Sequence, residues 1–413
     1  MKGKIVFIIV SLLVVVGIAW FSFSAYVWFT KTNFTYQLRP DGKIESINNT
    51  NTEDETNEKP IVIDSDDEGS VLPGLLSPII FEIQKIGSPK DVIILPEEKI
   101  LLVYDDDLKI TKKNGEMVSV LGLPKFTTSG AEGILDLELD SSFSTNGLVF
   151  MVYSYRNTNG FIFSRVSSFN LRVVDPPSVP QTGEEENKPA FTQAVPEALL
   201  SDEHIILDNI PAGLTNNGGG LIVGKSDFLW LLTGDTGKAI LSQDQESLAG
   251  KVLRFRKNGS IPEDNPWSGL YLYALGFKNP IGLVESEMGD KFILDSGSAS
   301  FDEINILSSG GNFGSPVVNE CNTNDTRFTN PLVCSGKMGW KPKGLAYIKK
   351  DSKEMLLVGS GNTVLGFDLV DGKLANNQKP KILASGYKNL KKIKIVDGIL
   401  YILVNDSLVA VNP

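Results

Sequence analysis

The sequence predicts an all-β chain: a six-bladed β-propeller preceded by a single N-terminal transmembrane helix. Three observations carry the propeller. From about residue 78, apolar runs of four to eight residues recur, each closed by a turn signal, as in KILLVYDDD, LVFMVYSY and GILYILVNDSLVAVNP. No long segment shows helical periodicity with caps. The β-patterned stretch covers roughly 335 residues, too long for one sandwich but right for six four-stranded blades of roughly 50 to 55 residues each.

The elements follow in chain order. After Lys2 and Lys4, residues Ile5 to Thr30 carry no charge before Lys31. That run exceeds the roughly 20 residues a helix needs to cross the hydrocarbon core. Its exit is rich in aromatics (Trp20, Phe21, Phe23, Tyr26, Trp28, Phe29), which suit the headgroup interface, whereas a cleavage site needs small residues. Residues 1–30 are therefore read as an uncleaved anchor through which the chain partners the membrane, with a cleaved signal peptide as the alternative. The lysines on the short side keep that side cytoplasmic. The expected location is the cell membrane, single-pass, with the C-terminal domain extracytoplasmic.

Residues 31–77 are acidic and polar, with too few large apolar side chains to offset their ordering entropy, and are read as a flexible tether. The propeller is assigned to residues 78–413. Asn-Gly and Asp-Gly pairs at Asn114, Asn258, Asp371 and Asp397 mark expected hairpins. One proline-rich acidic segment, about residues 175–204, breaks the rhythm and is read as an inserted surface loop, with His204 at its edge. Cys321 and Cys334 flank NTNDTRFTNPLV; an even number in an oxidising compartment favours a loop-closing disulfide, with two buried free thiols as the alternative.

Composition excludes several functions. A net charge of −11 leaves no positive footprint for nucleic acid, which is not an expected partner. A single histidine removes most histidine-based metal sites and proton shuttles, and a peripheral one cannot serve a hydrolytic triad.

Four stretches, in order, resemble a known family. GAEGILDLELDSSFSTNGLVFMVYSY, DQESLAGKVLRFRKNGSIPEDNPW, LYALGFKNPIGL and DEINILSSGGNFGSP are similar to segments of the glucose/sorbosone dehydrogenases, pyrroloquinoline quinone (PQQ)-dependent aldose sugar dehydrogenases built on a six-bladed propeller. The resemblance implies sugar oxidation, with a histidine base beside the cofactor. Here the base position of the motif "H-x-G-G-R-L" reads Asn216, in NNGGGLIVG, and its arginine reads Gly220. An amide accepts no proton near neutral pH. The cofactor-contacting glutamine falls on Ala131, the "R-N-P" arginine on Lys278, and "R-I-R-D" on Lys388, Asn389, Leu390 and Lys391. "E-H-G-P" begins at Asp295, and a tryptophan becomes Ser315.

These substitutions predict no catalytic residue and no tight binding of PQQ, whose carboxylates need a cationic clamp. The retained ligand pocket is expected to comprise Asn216, Asn217, Asp235, Lys278, Asn279 and Lys388. The resemblance also implies a calcium ion held by the Glu303 carboxylate and the main-chain carbonyl of Phe313. Two functions stay open: a non-catalytic module for an unknown extracellular ligand or protein, or an oxidoreductase with its chemistry moved to Asp227, Asp235 or Lys278.

Overall fold

The computed structural model describes residues 36–38, 44–46, 79–111, 116–126, 132–173, 198–224, 227–297, 300–318, 321–375 and 380–413. The apolar N-terminal run, most of the acidic tether, Asn114 and Ala131 lie outside the described residues. Among those residues no helix is long and apolar enough to cross a membrane. The chain divides into two units, Met1–Ser65 and Asp66–Pro413. In the first, β1 (Tyr36–Leu38) pairs antiparallel with β2 (Ile44–Ser46).

The second unit opens with β3 (Ile79–Ile83). Blade I comprises β4 (Asp91–Ile94), β5 (Ile100–Val103), β6 (Leu108–Thr111) and β7 (Met117–Ser119); blade II comprises β8 (Gly133–Leu139), β9 (Leu148–Arg156), β10 (Ile162–Val173) and β11 (Ala198–Pro211). Blade III holds β12 (Gly218–Val223), β13 (Phe228–Thr233), β14 (Lys251–Arg256) and β15 (Leu272–Leu275); blade IV holds β16 (Pro280–Glu285), β17 (Lys291–Asp295), β18 (Glu303–Ile306) and β19 (Val333–Cys334). In blade V, β20 (Pro342–Lys350), β21 (Lys353–Ser360) and β22 (Thr363–Val370) are followed by β23 (Lys373–Leu374) and β24 (Lys381–Ala384), both paired to β22. Blade VI joins β25 (Leu390–Val396), β26 (Ile399–Val404) and β27 (Ser407–Val411) to β3 from the other end of the unit, so the ring is closed by pairing its two ends. This is the expected six-bladed propeller.

The core confirms the count. Six apolar clusters each lie between two neighbouring blades; between II and III, for example, Phe150, Val152 and Ile210 pack against Leu229, Leu253 and Phe255. Strands buried on both faces explain the near-continuous apolar runs in the sequence. The innermost strands β4, β8, β12, β16, β20 and β25 contact one another around the ring. All six begin on one face, here termed upper, because each blade runs antiparallel outward from its first strand.

Two expectations are corrected. The segment read as an inserted loop to residue 204 lies outside the described residues up to 197, but residues 198–204 belong to β11, where His204, exposed, pairs with Ser168. The alternation LLSDEHIILDNI is that of an outer strand with one wet face, which the flanking prolines obscured. Asn258-Gly259 does not close a tight hairpin, since β14 ends at Arg256 and β15 starts at Leu272. The Asn258 Oδ1 instead accepts hydrogen bonds from the Ser260 amide and hydroxyl, an Asx turn inside a longer connection.

Candidate functional site

The loops that precede the inner strands converge on the upper face, and there the sequence-predicted residues are found. Asn216 ends the loop into β12 with φ +54°, a left-handed conformation that asparagine tolerates. The glycines after it are required by close approach. A Cβ on Gly219 (φ +105°) would lie 2.6 Å from the Leu135 Cβ of blade II, and one on Gly218 (φ +64°) 2.7 Å from the Gly234 amide. The glycine run therefore lets two backbones cross; it is not a cradle open to a ligand.

Side chains then knit blades III and IV. The Asn216 amide donates to Asp235 Oδ1 (2.9 Å), which also accepts from the Gly237 amide (2.8 Å). The Asp235 amide donates to the Lys278 carbonyl (2.7 Å). Asp295 accepts from the amides of Lys278 and Asn279 (2.9 and 2.7 Å), and Asn279 Oδ1 accepts from the Gly218 amide (3.2 Å). Asn216, Asp235, Lys278 and Asn279 thus form one connected unit. Asn217 turns away and closes its own loop with Gly213, donating to the carbonyl and accepting from the amide. Lys388 stands exposed on blade VI and makes no hydrogen bond or ion pair with this unit. Asp227 lies on the opposite face, in the β12–β13 turn, paired with Lys257 at 2.7 Å.

Beside the unit is a cavity of about 290 Å³, walled by Lys278, Asp295, Glu303 and Phe313 together with Ser300 and Ser315. Glu303 and Phe313, separated by ten positions in sequence, do line one space. Burial first, then the Asp295 charge, pushes the Glu303 carboxyl up to about 8. Burial raises Asp295 to about 6 against the two amides that favour its charge. Asn305 follows two residues after Glu303 on the same strand face; its Nδ2 donates to Glu303 (3.3 Å), while its fully buried Oδ1 has no partner. The donors are hard oxygens, the set calcium takes. Among the described residues no group of three histidine, cysteine or acidic side chains is placed to hold a metal, so carbonyl, amide and water oxygens would have to complete the shell.

A strap formed by residues 307–318 and 321–332 supplies Phe313 and Ser315 to this wall. Gln243 holds it in place, donating to the Asn312 side chain (3.0 Å) and the Ser315 carbonyl (2.7 Å). The turn carrying Gln243 is itself clamped by the buried Lys251 ammonium, which donates to the carbonyls of Leu241, Ser242 and Ala249. The expected disulfide is formed: Cys321 is bonded to Cys334, with Cα atoms 5.4 Å apart.

A second cavity, about 400 Å³, is the central channel, lined by Asp136, Glu138, Gly220, Glu285, Lys392 and Lys394 among others. Lys392 pairs with Asp91 (3.0 Å) and Lys394 with Glu138 (2.8 Å). Burial pushes Asp136 up to about 7; both its oxygens accept backbone amides, from Leu137 and Leu221 (2.9 Å each). Sequence reasoning missed this charged channel and Asn305. The signal was the alternation D-L-E and K-I-K on inner strands, which puts each pair on one face.

The comparisons with known proteins agree with this geometry. Residues 86–407 match the family model described as Glucose / Sorbosone dehydrogenase. The chain belongs to that family. It is 23% identical over 368 residues to aldose sugar dehydrogenase YliI of Escherichia coli, covering 80% of this chain and 91% of that one. It is 26% identical over 263 residues to quinoprotein glucose dehydrogenase B of Acinetobacter calcoaceticus, but spans only 52% of that protein's length. The PQQ-bound aldose sugar dehydrogenase of Streptomyces coelicolor superposes with a TM-score of 0.67 at 21% identity, covering 81% of this chain and 97% of the other, which shows the shared fold.

Proposed function

We propose that this family member is a membrane-anchored, extracytoplasmic binding module that has lost sugar oxidation. The observation that carries the reading is Asn216: the position of the family's base holds an amide whose NH2 is already given to Asp235. An amide cannot take the sugar hydroxyl proton, and general-base catalysis is worth about 10² to 10⁴. The residues present also do not fit PQQ. Among the described lining residues the single cation is Lys278, and a tricarboxylate would face Asp295 and Glu303 there. No reaction step is therefore routed through that cofactor. Calcium does fit: Glu303, the orphaned Asn305 Oδ1 and the Phe313 carbonyl would hold it, and it would fix the strap against β18 by neutralising a buried acid pair.

A second reading, residual oxidoreductase activity, is favoured by the relatives' names and by Glu303, a carboxyl raised to about 8 within the cavity. Titrating the purified chain with PQQ and calcium, with aldose-dependent dye reduction as readout, separates the two. We expect no turnover, and none from Asn216→His alone, because base and clamp act on different steps. Micromolar PQQ binding with turnover would sink the non-catalytic reading. Intact mass of the same material tests the anchor, which an N-terminus beyond Ala25 would refute.

A further inference from the structure

We infer that the upper rim of blades IV to VI is a binding face for an acidic oligosaccharide, one bearing carboxylate or sulfate groups at several positions. The inference rests on the binding-module reading and names the class of ligand. Four exposed lysines, Lys337, Lys341, Lys343 and Lys388, stand at this rim together with the half-buried Lys391. None of them pairs with a carboxylate among the described residues, although this protein carries a net charge of −11 and other lysines, such as Lys349, Lys381 and Lys394, are paired. Lys391 donates to the Ser88 carbonyl (3.1 Å) and to the Ser88 hydroxyl.

The rim is continuous by its backbone. The Phe301 amide, at the wall of the 290 Å³ cavity, donates to the carbonyl of Gly336, next to Lys337. The Trp340 and Lys341 amides donate to Asp302. Gly361 donates to the Lys341 carbonyl, Tyr387 to that of Asn362, and Asn405 to that of Asn389, which adjoins Lys388. Lys343 precedes Gly344, where a Cβ would lie 3.2 Å from the Ile393 amide of β25, so blades V and VI meet at this point.

Asp302, the acid bound into the rim, is buried and spent on the amides of Gly297, Trp340 and Lys341, so it neutralises no ammonium. Asp406 is exposed in the turn that meets Asn389 and makes no ion pair among the described residues. Among the described residues, several positive charges of this rim therefore face solvent against the single carboxylate of Asp406.

A lysine ammonium is a point charge without the planar fork of arginine. It recognises anionic charge and accepts carboxylate or sulfate alike. Between the lysines stand the exposed amides Asn362 and Asn389, which can both donate to and accept from hydroxyl groups. Among the described residues, the rim aromatics Trp340 and Tyr387 are half-buried and offer no open stacking platform for nucleobases. Hydroxyls interspersed with anions describe an acidic saccharide.

The test uses the full chain in detergent, with oligogalacturonate as the carboxylate probe, a sulfated oligosaccharide of equal length as the sulfate probe, and a neutral oligosaccharide and an oligonucleotide as contrasts. At low salt at least one anionic saccharide should bind, weakening as salt screens the charges. Whichever arm binds names the anion. Lys341→Glu with Lys388→Glu should weaken it about tenfold or more, whereas Lys353→Glu with Lys373→Glu, the same charge change on exposed residues of the lower face, should leave it unaltered. Equal loss in both double variants, equal binding of the neutral sugar, or tighter binding of the oligonucleotide would overturn the inference. If neither anionic saccharide nor PQQ binds, the inference fails while the non-catalytic reading stands; PQQ-dependent turnover would remove that reading instead.

Discussion

Glu303 is half-buried in the cavity wall beside a second acid, Asp295, and among the described lining residues the cation is Lys278. Unfolded, its carboxyl titrates near 4.5; folded, near 8. Between those values the folded state holds a proton that the unfolded state has released. The associated stability is fully present below about 4.5 and is lost as pH rises through 8. Asp295 and Asp136, raised to about 6 and 7, contribute in the same direction. In chelator we therefore expect the melting temperature to fall between pH 5 and 8.5. Calcium should flatten the curve by stabilising the charged form, and Glu303→Gln should flatten the chelated curve to the part left by the two aspartates. Identical curves with chelator and with calcium would show that no ion is held there. At this scale the sequence was informative wherever a motif gave a frame: Asn216, Asp235, Lys278 and Asn279 do meet. Lys388 stands apart from that hydrogen-bonded unit and Asp227 lies on the opposite face, because position along the chain does not say which loop folds over the site.

Elements were legible in proportion to how local their signals are. Asp371-Gly372 and Asp397-Gly398 have φ of 50° and 70°, and 51° and 75°, the paired positive values of a tight hairpin turn. Asn258-Gly259 reads identically in sequence, yet only Gly259 has positive φ and the connection runs on for several residues more. A dipeptide marks a reversal but does not fix how soon the next strand begins. The strap of residues 307–318 and 321–332 left no strand pattern at all, because the disulfide and Gln243 hold it where a sheet ladder does not. Cys334 is the register partner of Glu303, and Cys321 lies three residues beyond Val318 in the cavity wall. The bond therefore ties the strap to the strand that neighbours the proposed calcium ligand. Closing this short loop should stabilise the chain by about 2 to 3 kcal/mol. Reduction should lower the melting temperature and weaken the calcium response together, while far-ultraviolet circular dichroism stays that of the intact propeller. Two alkylatable thiols in the unfolded, non-reduced chain would contradict the bond; a melting temperature indifferent to reduction would contradict its role.

For the whole molecule, chain length and strand rhythm indicated six blades, and the six inter-blade cores show why that count is stable: each blade buries both faces against neighbours, and no face is left over. What the rhythm does not disclose is where the circle closes. β3 comes first in this unit but completes blade VI, pairing Ile83 with Leu408 and Ile79 with Val411. Without it β27 would present an unpaired, apolar edge, and such edges template aggregation. Ile83 and Phe81 also belong to the core between blades VI and I, with Ile83 only 5% exposed. Burying one such side chain is worth roughly 1.5 to 3 kcal/mol before its strand hydrogen bonds are added. A chain beginning at Asp66 should therefore fold as a monomer, whereas one beginning at Gln84 should melt well below it and aggregate. Adding a peptide spanning residues 78–84 in trans should restore monomer in proportion to its concentration. Equal melting temperatures for the two truncations, measured at matched concentration, would show that the ring holds shut on its inter-blade cores alone.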